Sequence, residues 1–217
     1  MTAPGIITVL VVDDDRFVRA GVRDIFAATG DIEVVGDVDD GDRVMQAVST
    51  FRPHVVLMDL KMKRIGGLEA TRRLMTLQNP PAVIAMTALD VDDLVVQAVA
   101  AGAHSFVSKD EAPETFHLAV RGVATGNTVF SKDSLRRIVA SQNPPARTVP
   151  PALNSLTDRE REVLCIMASG ATTATISKEM FLSETTVKTH ISGIFTKLGV
   201  NNRVEAALSA FRAGWVS

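Results

Sequence analysis

The chain has 217 residues, 46% of them apolar, which suits one large or two small globular domains. No apolar run approaches the ~18 residues of a membrane span, the first residues lack a secretion-signal pattern, and a single cysteine, Cys165, excludes an internal disulfide; together these fit a soluble cytoplasmic protein with no membrane partner. The net charge of −2 hides an asymmetry: residues 1–126 carry 12 basic and 18 acidic side chains, residues 127–152 carry 4 and 1, and residues 153–217 carry 7 and 6.

The first strand, 8–12, is Thr-Val-Leu-Val-Val and runs into Asp13-Asp14-Asp15. Further strand-like runs fall at 33–38, 55–59, 82–86 and 105–107. Helical patterns lie between them. Val18, Val22, Ile25 and Phe26 repeat at the spacing of one buried helical face. Asp39-Asp40-Gly41 opens a second helix, Gly66-Gly67 a third, and Asp90 is the expected N-cap of a fourth. A fifth runs from Glu111 to about Val123. Five βα units imply a doubly wound, parallel, flavodoxin-like sheet, because each parallel crossover needs a covering helix. No Gly-x-Gly-x-x-Gly follows the first strand, so a dinucleotide fold is disfavoured.

The strand ends carry the chemistry. Apolar strands that finish in Asp13-Asp14 and in Asp59 place carboxylates where open α/β sheets bind ligands. Packed together, these groups would repel and raise each other's pKa. A divalent cation removes the conflict, and hard oxygen donors suit magnesium. Thr87 ends the fourth strand and Lys109 follows the fifth. A metal site, a carboxylate nucleophile, a hydroxyl and a fixed cation are the parts of a phosphoryl-accepting site.

Beyond residue 126 the pattern changes. A short helix is expected over 134–141. Residues 142–151 then hold four prolines in ten, which marks an extended linker. Residues 127–152 are thus read as connection and 153–217 as a second, all-α domain. There Thr157-Asp-Arg-Glu160 forms a capping box, and its helix ends at Gly170. Helices follow over Thr173–Met180, Glu184–Leu198 and Arg203–Ala213. The turn Phe181-Leu182-Ser183 joins the first two of these as a helix-turn-helix. On the Glu184–Leu198 helix, Val187, Ile191, Ile194 and Leu198 face one way. Thr185, Lys188, Thr189, Ser192 and Thr196 face the other.

Residues 6–126 resemble the receiver domain of two-component response regulators. Residues 153–214 resemble the LuxR-type output domain, through Leu156-Thr-Asp-Arg-Glu-Arg-Glu-Val-Leu164, Leu182-Ser-Glu-Thr-Thr-Val-Lys-Thr-His190, Lys197-Leu-Gly-Val200 and Arg203. Together they are similar to the NarL/FixJ family of transcriptional regulators. The resemblance implies that Asp59 is phosphorylated by a sensor histidine kinase. It implies that Asp13, Asp14, Asp59 and the backbone carbonyl of Lys61 hold Mg2+. Thr87, Lys109 and Phe106 match the switch residues. For promoter DNA, Lys188, Thr189 and Ser192 are expected at base edges. Thr186, His190, Lys197 and Arg203 are expected at phosphates, with a homodimer as the active form.

The chain departs from the family at three places. Lys63 replaces the usual proline, so Lys61-Met-Lys-Arg64 sets three cations beside Asp59. Phe106 replaces the common tyrosine. Thr173-Ala-Thr-Ile-Ser177 lacks a lysine that many relatives carry. A haloacid-dehalogenase-type enzyme also uses a strand-end aspartate with magnesium, but it has a second aspartate where this chain has Lys61. A receiver that regulates by binding alone is the other rival, and the full Asp, Thr and Lys set weighs against it. The protein is therefore expected to take part only in its own phosphoryl transfer, not to be an enzyme.

Overall fold

The computed structural model describes residues 5–87, 92–126, 151–200 and 202–216. The expected cap at Asp90, the helix over 134–141 and the linker over 142–150 lie outside them. The chain divides into two compact units, Met1–Gly126 and Asn127–Ser217. No described helix is long and apolar enough to cross a membrane.

In the first unit, five parallel strands stand in the order β2-β1-β3-β4-β5. They are β1 (Ile7–Val12), β2 (Ile32–Val38), β3 (Val55–Asp59), β4 (Ala82–Thr87) and β5 (Ser105–Ser108). The helices are α1 (Arg16–Ala27), α2 (Val44–Phe51), α3 (Gly67–Met75), α4 (Asp92–Ala100) and α5 (Pro113–Ala124). Alternate strand residues point to opposite faces, so the central strands feed two cores. Val9, Val11, Val55, Leu57, Ile84 and Met86 pack with Val22 and Phe26 of α1 and Phe116 and Val120 of α5. Leu10, Val12, Val56, Met58, Val83 and Ala85 pack with residues of α2, α3 and α4, among them Val44, Leu74 and Ala98. Burial on both faces explains why these strands read as continuous apolar runs. The strand order reverses between β1 and β3, and that switch point is where such sheets hold ligands. Asp13 and Asp59 stand there.

Local chemistry sets the helix starts. Asp15 caps α1 by accepting the Phe17 N–H at 2.7 Å. The second helix begins later than expected: Asp40 caps a single 3-10 turn, Gly41–Arg43, before α2. The fifth also starts later, with Pro113 in its first turn.

Asp40 does more than cap. It is only 2% exposed. Its carboxylate accepts the backbone N–H groups of Arg64 and Ile65, both at 2.8 Å, and of Asp42 at 3.4 Å. Gly41 N–H donates to the Ile65 carbonyl at 3.2 Å, and a Cβ on Gly41 would lie 2.3 Å from that oxygen. The Arg64 guanidinium reaches back to Asp42 at 2.8 Å and Asp39 at 3.3 Å. The β3–α3 loop is thereby fastened to the β2–α2 loop. At its other end, a Cβ on Gly67 would meet the Asp59 carbonyl at 2.0 Å, so only glycine fits.

Among its described residues the second unit has four helices: α6 (Asp158–Ala168), α7 (Thr173–Met180), α8 (Glu184–Leu198) and α9 (Arg203–Arg212). A 3-10 turn over Pro151–Ser155 precedes them and buries Leu153. Leu164, Ile176, Val187, Ile194 and Val204 are fully buried at its centre. Thr157 and Glu160 form the expected capping box. Ser183 caps α8 through the Thr186 N–H, and Gly199 ends α8 at φ 67°.

Burial pushes the Asp40 carboxyl up, but the three N–H donors and the Arg64 charge outweigh it, and it lies below its ordinary 3.8. A depressed carboxylate stabilises the fold above its unfolded pKa, and that gain disappears as pH falls through the folded value. Asp40→Ala should therefore lower first-unit stability by about 2–3 kcal/mol at pH 7, leaving buried N–H groups unpaired. The gap to wild type should narrow below pH 3.8. Hydrogen exchange of β1 and β3 amides measures it; unchanged protection at pH 7 would refute the clamp.

Candidate functional site

β1 and β3 are adjacent and in register, Val12 beside Met58, so the residues after β1 and at the end of β3 emerge together. Asp13, Asp14 and Asp59 each offer a carboxylate oxygen within 4.8 Å of the others. Asp13 is fully buried and Asp59 is 4% exposed, whereas Asp14 is half-buried. Register also delivers the cation. Thr87 pairs with Ser108 across β4 and β5, and the Lys109 N–H donates to the Thr87 carbonyl at 2.8 Å. The Lys109 ammonium then sits 2.8 Å from Asp13 Oδ2 and 3.1 Å from Asp59 Oδ1.

One ammonium thus stands between two buried carboxylates. Burial raises the Asp59 carboxyl, and the Asp13 charge raises it further; Lys109 and the backbone N–H of Lys61 oppose this without cancelling it. For Lys109, burial acts downward, but its two carboxylates win and hold the ammonium above its ordinary range.

The donor set fits a small hard cation. Asp13 Oδ1 accepts the Asp15 N–H at 2.9 Å. Asp13 Oδ2 is buried without a hydrogen bond of good geometry; its neutralisation comes from the ion pair with Lys109. A buried carboxylate oxygen in that state, beside two further carboxylates, suits oxygen-coordinated Mg2+. Lys61 itself is exposed. Lys63, one of the three loop cations, reaches Asp14 Oδ2 at 3.5 Å, which the sequence did not reveal. Phe106, on β5, is half-buried against the core that contains α2 and α3.

In the second unit, Thr186, Lys188, Thr189 and Ser192 lie exposed on α8, with His190 half-buried. Thr185 and Thr196 share the exposed surface. Two expected phosphate contacts fare differently. The Arg203 side chain is buried, with the residue 6% exposed. It donates to Thr173 Oγ1 at 3.1 Å and to the Ala171 carbonyl at 2.8 Å. Burial brings its pKa down to about 10. This arginine ties α9 to the start of α7 and is corrected from phosphate contact to internal brace. Lys197 is exposed, but its ammonium pairs with Glu160 Oε2 at 2.6 Å. Glu160 also accepts the Thr157 N–H at 2.7 Å. Burial raises Glu160, yet these partners hold it below its ordinary range. One carboxylate thus closes the capping box of α6 and anchors the C-terminal turn of α8.

The histidines outside α8 are structural. His54 Nδ1 lies 3.0 Å from the Thr8 N–H, His104 Nδ1 3.2 Å from the Val83 N–H, and His117 Nε2 3.0 Å from the Ile25 carbonyl. Cys165 is half-buried, and burial pushes its thiol up.

Comparison with known proteins covers both units. Residues 9–121 match the response regulator receiver domain, and residues 154–210 match the luxR family of bacterial regulatory proteins. The transcriptional regulatory protein LiaR of Bacillus subtilis is 34% identical over 95% of this chain and 97% of its own. The response regulator GacA of Pseudomonas aeruginosa is 35% identical over 97% and 98%. The crystal structure of the response regulator ChrA, from a heme-sensing two-component system, is 31% identical, covers 96% of this chain and 98% of its own, and superposes with a TM-score of 0.56.

Two substitutions test the geometry. Asp59→Asn removes a buried charge that faces Asp13, so it should raise first-unit stability at pH 7 in metal-free buffer. A raised carboxylate favours the folded state more as pH falls toward its unfolded pKa, so wild type should draw level at acid pH. A variant no more stable at pH 7 would count against the conflict. Lys197→Ala should lower second-unit stability by about 1–2 kcal/mol by leaving Glu160 without its cation, seen in exchange of the α6 and α8 amides. A loss of DNA affinity with unchanged stability would instead restore its phosphate role.

Proposed function

The chain belongs to the two-component response regulators of the NarL/FixJ family, a receiver joined to a LuxR-type DNA-binding domain, and from that premise we propose that phosphorylation of Asp59 controls its hold on promoter DNA. The observation that carries the reading is the buried Asp13–Lys109–Asp59 cluster beside Thr87.

Asp59 attacks the phosphorus of a phosphohistidine on a sensor kinase. The new O–P bond forms as the P–N bond breaks, and the histidine is returned to the kinase. Lys109 faces the growing negative charge without having to reorganise, which is how a fixed cation lowers such a barrier. When bound to Asp13, Asp14, Asp59 and the Lys61 carbonyl, Mg2+ supplies further positive charge to the phosphoryl oxygens. The protein acts on no separate substrate.

The phosphoryl group adds a charge of about −2. Lys109 is drawn toward it, and the Thr87 hydroxyl supplies a hydrogen bond. Because the Lys109 N–H rests on the Thr87 carbonyl, a shift at one residue is felt at the other. Phe106, on the same strand pair, repacks into the space that Thr87 leaves. The β4–β5 edge of the receiver thus becomes the two-state element that a local charge biases.

The output domain places α8 in the major groove. Lys188 has the donors for guanine O6 or N7, and Thr189 offers a methyl to thymine. Ser192 adds a hydroxyl, while Thr186 and His190 serve phosphates. Seven basic against six acidic side chains over 153–217 give this domain little electrostatic affinity of its own. A homodimer on a two-fold-symmetric promoter site multiplies that weak binding, so a cytoplasmic dimer is the active form.

Acetyl phosphate with Mg2+ should label wild type and not Asp59→Ala. Promoter binding, measured across a genomic fragment library, should tighten with label and fail to do so in the variant. Equal binding under every condition would leave a constitutive DNA-binding protein. Lys188→Ala should cost about 1–3 kcal/mol on the cognate site and relax preference at one base position. A loss equal on all sequences would demote Lys188 to a phosphate contact.

A further inference from the structure

The acidic pocket has a second lysine that the phosphoacceptor mechanism does not use. Lys63 stands four residues after Asp59, with its ammonium 3.5 Å from Asp14 Oδ2. Its side chain is 84% exposed and that of Asp14 27%, so the pair lies at the mouth of the pocket. The backbone beneath it is held. Its neighbour Arg64 gives its N–H to the buried Asp40, and the next residue, Ile65, does the same. At the far side, Leu60 N–H reaches the Met86 carbonyl at 3.4 Å and the Lys61 N–H bonds Asp59. The loop backbone therefore holds the Lys63 Cα at the mouth of the pocket, from which its ammonium reaches Asp14.

The charge count at the site gives this position a consequence. Three carboxylates meet there. Lys109 serves the two buried ones, Asp13 and Asp59. Asp14 is the one that Lys109 leaves, and Lys63 is the cation beside it. Any divalent ion that takes Asp14 as a donor must displace that ammonium or share the carboxylate with it. Two positive charges on one carboxylate repel, so part of the ion's binding free energy is lost.

We propose that Lys63 is a resident counter-ion of Asp14 that competes with the divalent cation and sets the metal affinity of the site below what its three carboxylates alone would give. The proposal rests on the phosphoacceptor reading and deepens it: Lys63 is a positioning residue that acts through Asp14. Because the pair is exposed, the effect is modest. Exposed ion pairs are worth up to ~1 kcal/mol, which corresponds to an affinity change of roughly two- to fivefold, and salt screens it.

The test is Mn2+ binding to the full chain, followed by the loss of the free-ion paramagnetic resonance signal, with Mg2+ as competitor. Lys63→Ala should bind Mn2+ and Mg2+ roughly two- to fivefold more tightly than wild type. Lys63→Arg, which keeps the charge, should return to the wild-type value. The difference should shrink in about 1 M KCl, where the screening length falls to ~3 Å. An exposed residue is replaced, and unchanged circular dichroism verifies that the fold persists. Equal or weaker binding by Lys63→Ala would overturn the proposal while leaving the metal site intact. Uptake by neither chain, or uptake unaffected by Asp14→Asn, would overturn the metal reading itself and the proposal with it.

Discussion

Asp13 and Asp59 are both buried, both acidic and both within reach of a single ammonium, that of Lys109. At such range burial and the Asp13 charge both work against ionisation of Asp59. One cation holds the cluster together without satisfying it: Asp59 remains above its ordinary range, and Asp13 Oδ2 has no well-aligned donor. A fully satisfied network would be a better fold and a poorer site. On the proposed reading the residual negative potential would attract a metal ion, which with Lys109 would make the pocket hospitable to a phosphoryl group. The sheet exists in this form to create that conflict, since parallel register brings Asp13 beside Asp59 and carries Lys109 in from β5.

The conflict requires a rigid frame, and much of the frame is polar. Leu60, Met62 and Ile65 anchor the loop after Asp59 to the core, and hydrogen bonds to the buried Asp40 fix the backbone between them. This is the part of the site that the sequence concealed. Asp39-Asp40-Gly41 reads as a helix start, and Asp40 does cap a turn. Its principal partners lie 24 and 25 residues away, and no periodicity reports a bond of that range. The strand ends were legible for the opposite reason. A charged or polar residue that closes an apolar strand is visible as a local contradiction, and Asp13, Asp14, Asp59, Thr87 and Lys109 stand at or just past strand ends.

The second unit shows the same limit from another side. Helical periodicity separated Val187, Ile191 and Ile194 from Lys188, Thr189 and Ser192, and burial follows that division. It did not say where a long basic side chain ends. Arg203 opens the helix after α8, yet its guanidinium turns inward to Thr173 and the Ala171 carbonyl. Lys197 lies on the right helix, yet its ammonium meets Glu160. A basic residue is a phosphate ligand only if no internal acceptor claims it first, and tertiary packing decides that.

With Arg203 buried and Lys197 paired internally, the exposed charge of the second unit changes balance. The exposed α8 surface is left with Lys188 and the ion-paired Lys197 among hydroxyl-bearing threonines and a serine. Hydroxyls give direction and little attraction, whereas affinity for a duplex grows with the number of phosphates neutralised. A single such helix is therefore a reader with a weak grip. On the proposed reading its usefulness would depend on a second copy held at the spacing of the next major groove, because two weak contacts joined in one body add their free energies while the ordering cost is met largely once. On the proposed reading, a domain poised in this way gives a phosphoryl group leverage: a small change in the population of the dimer would become a large change in occupancy of DNA.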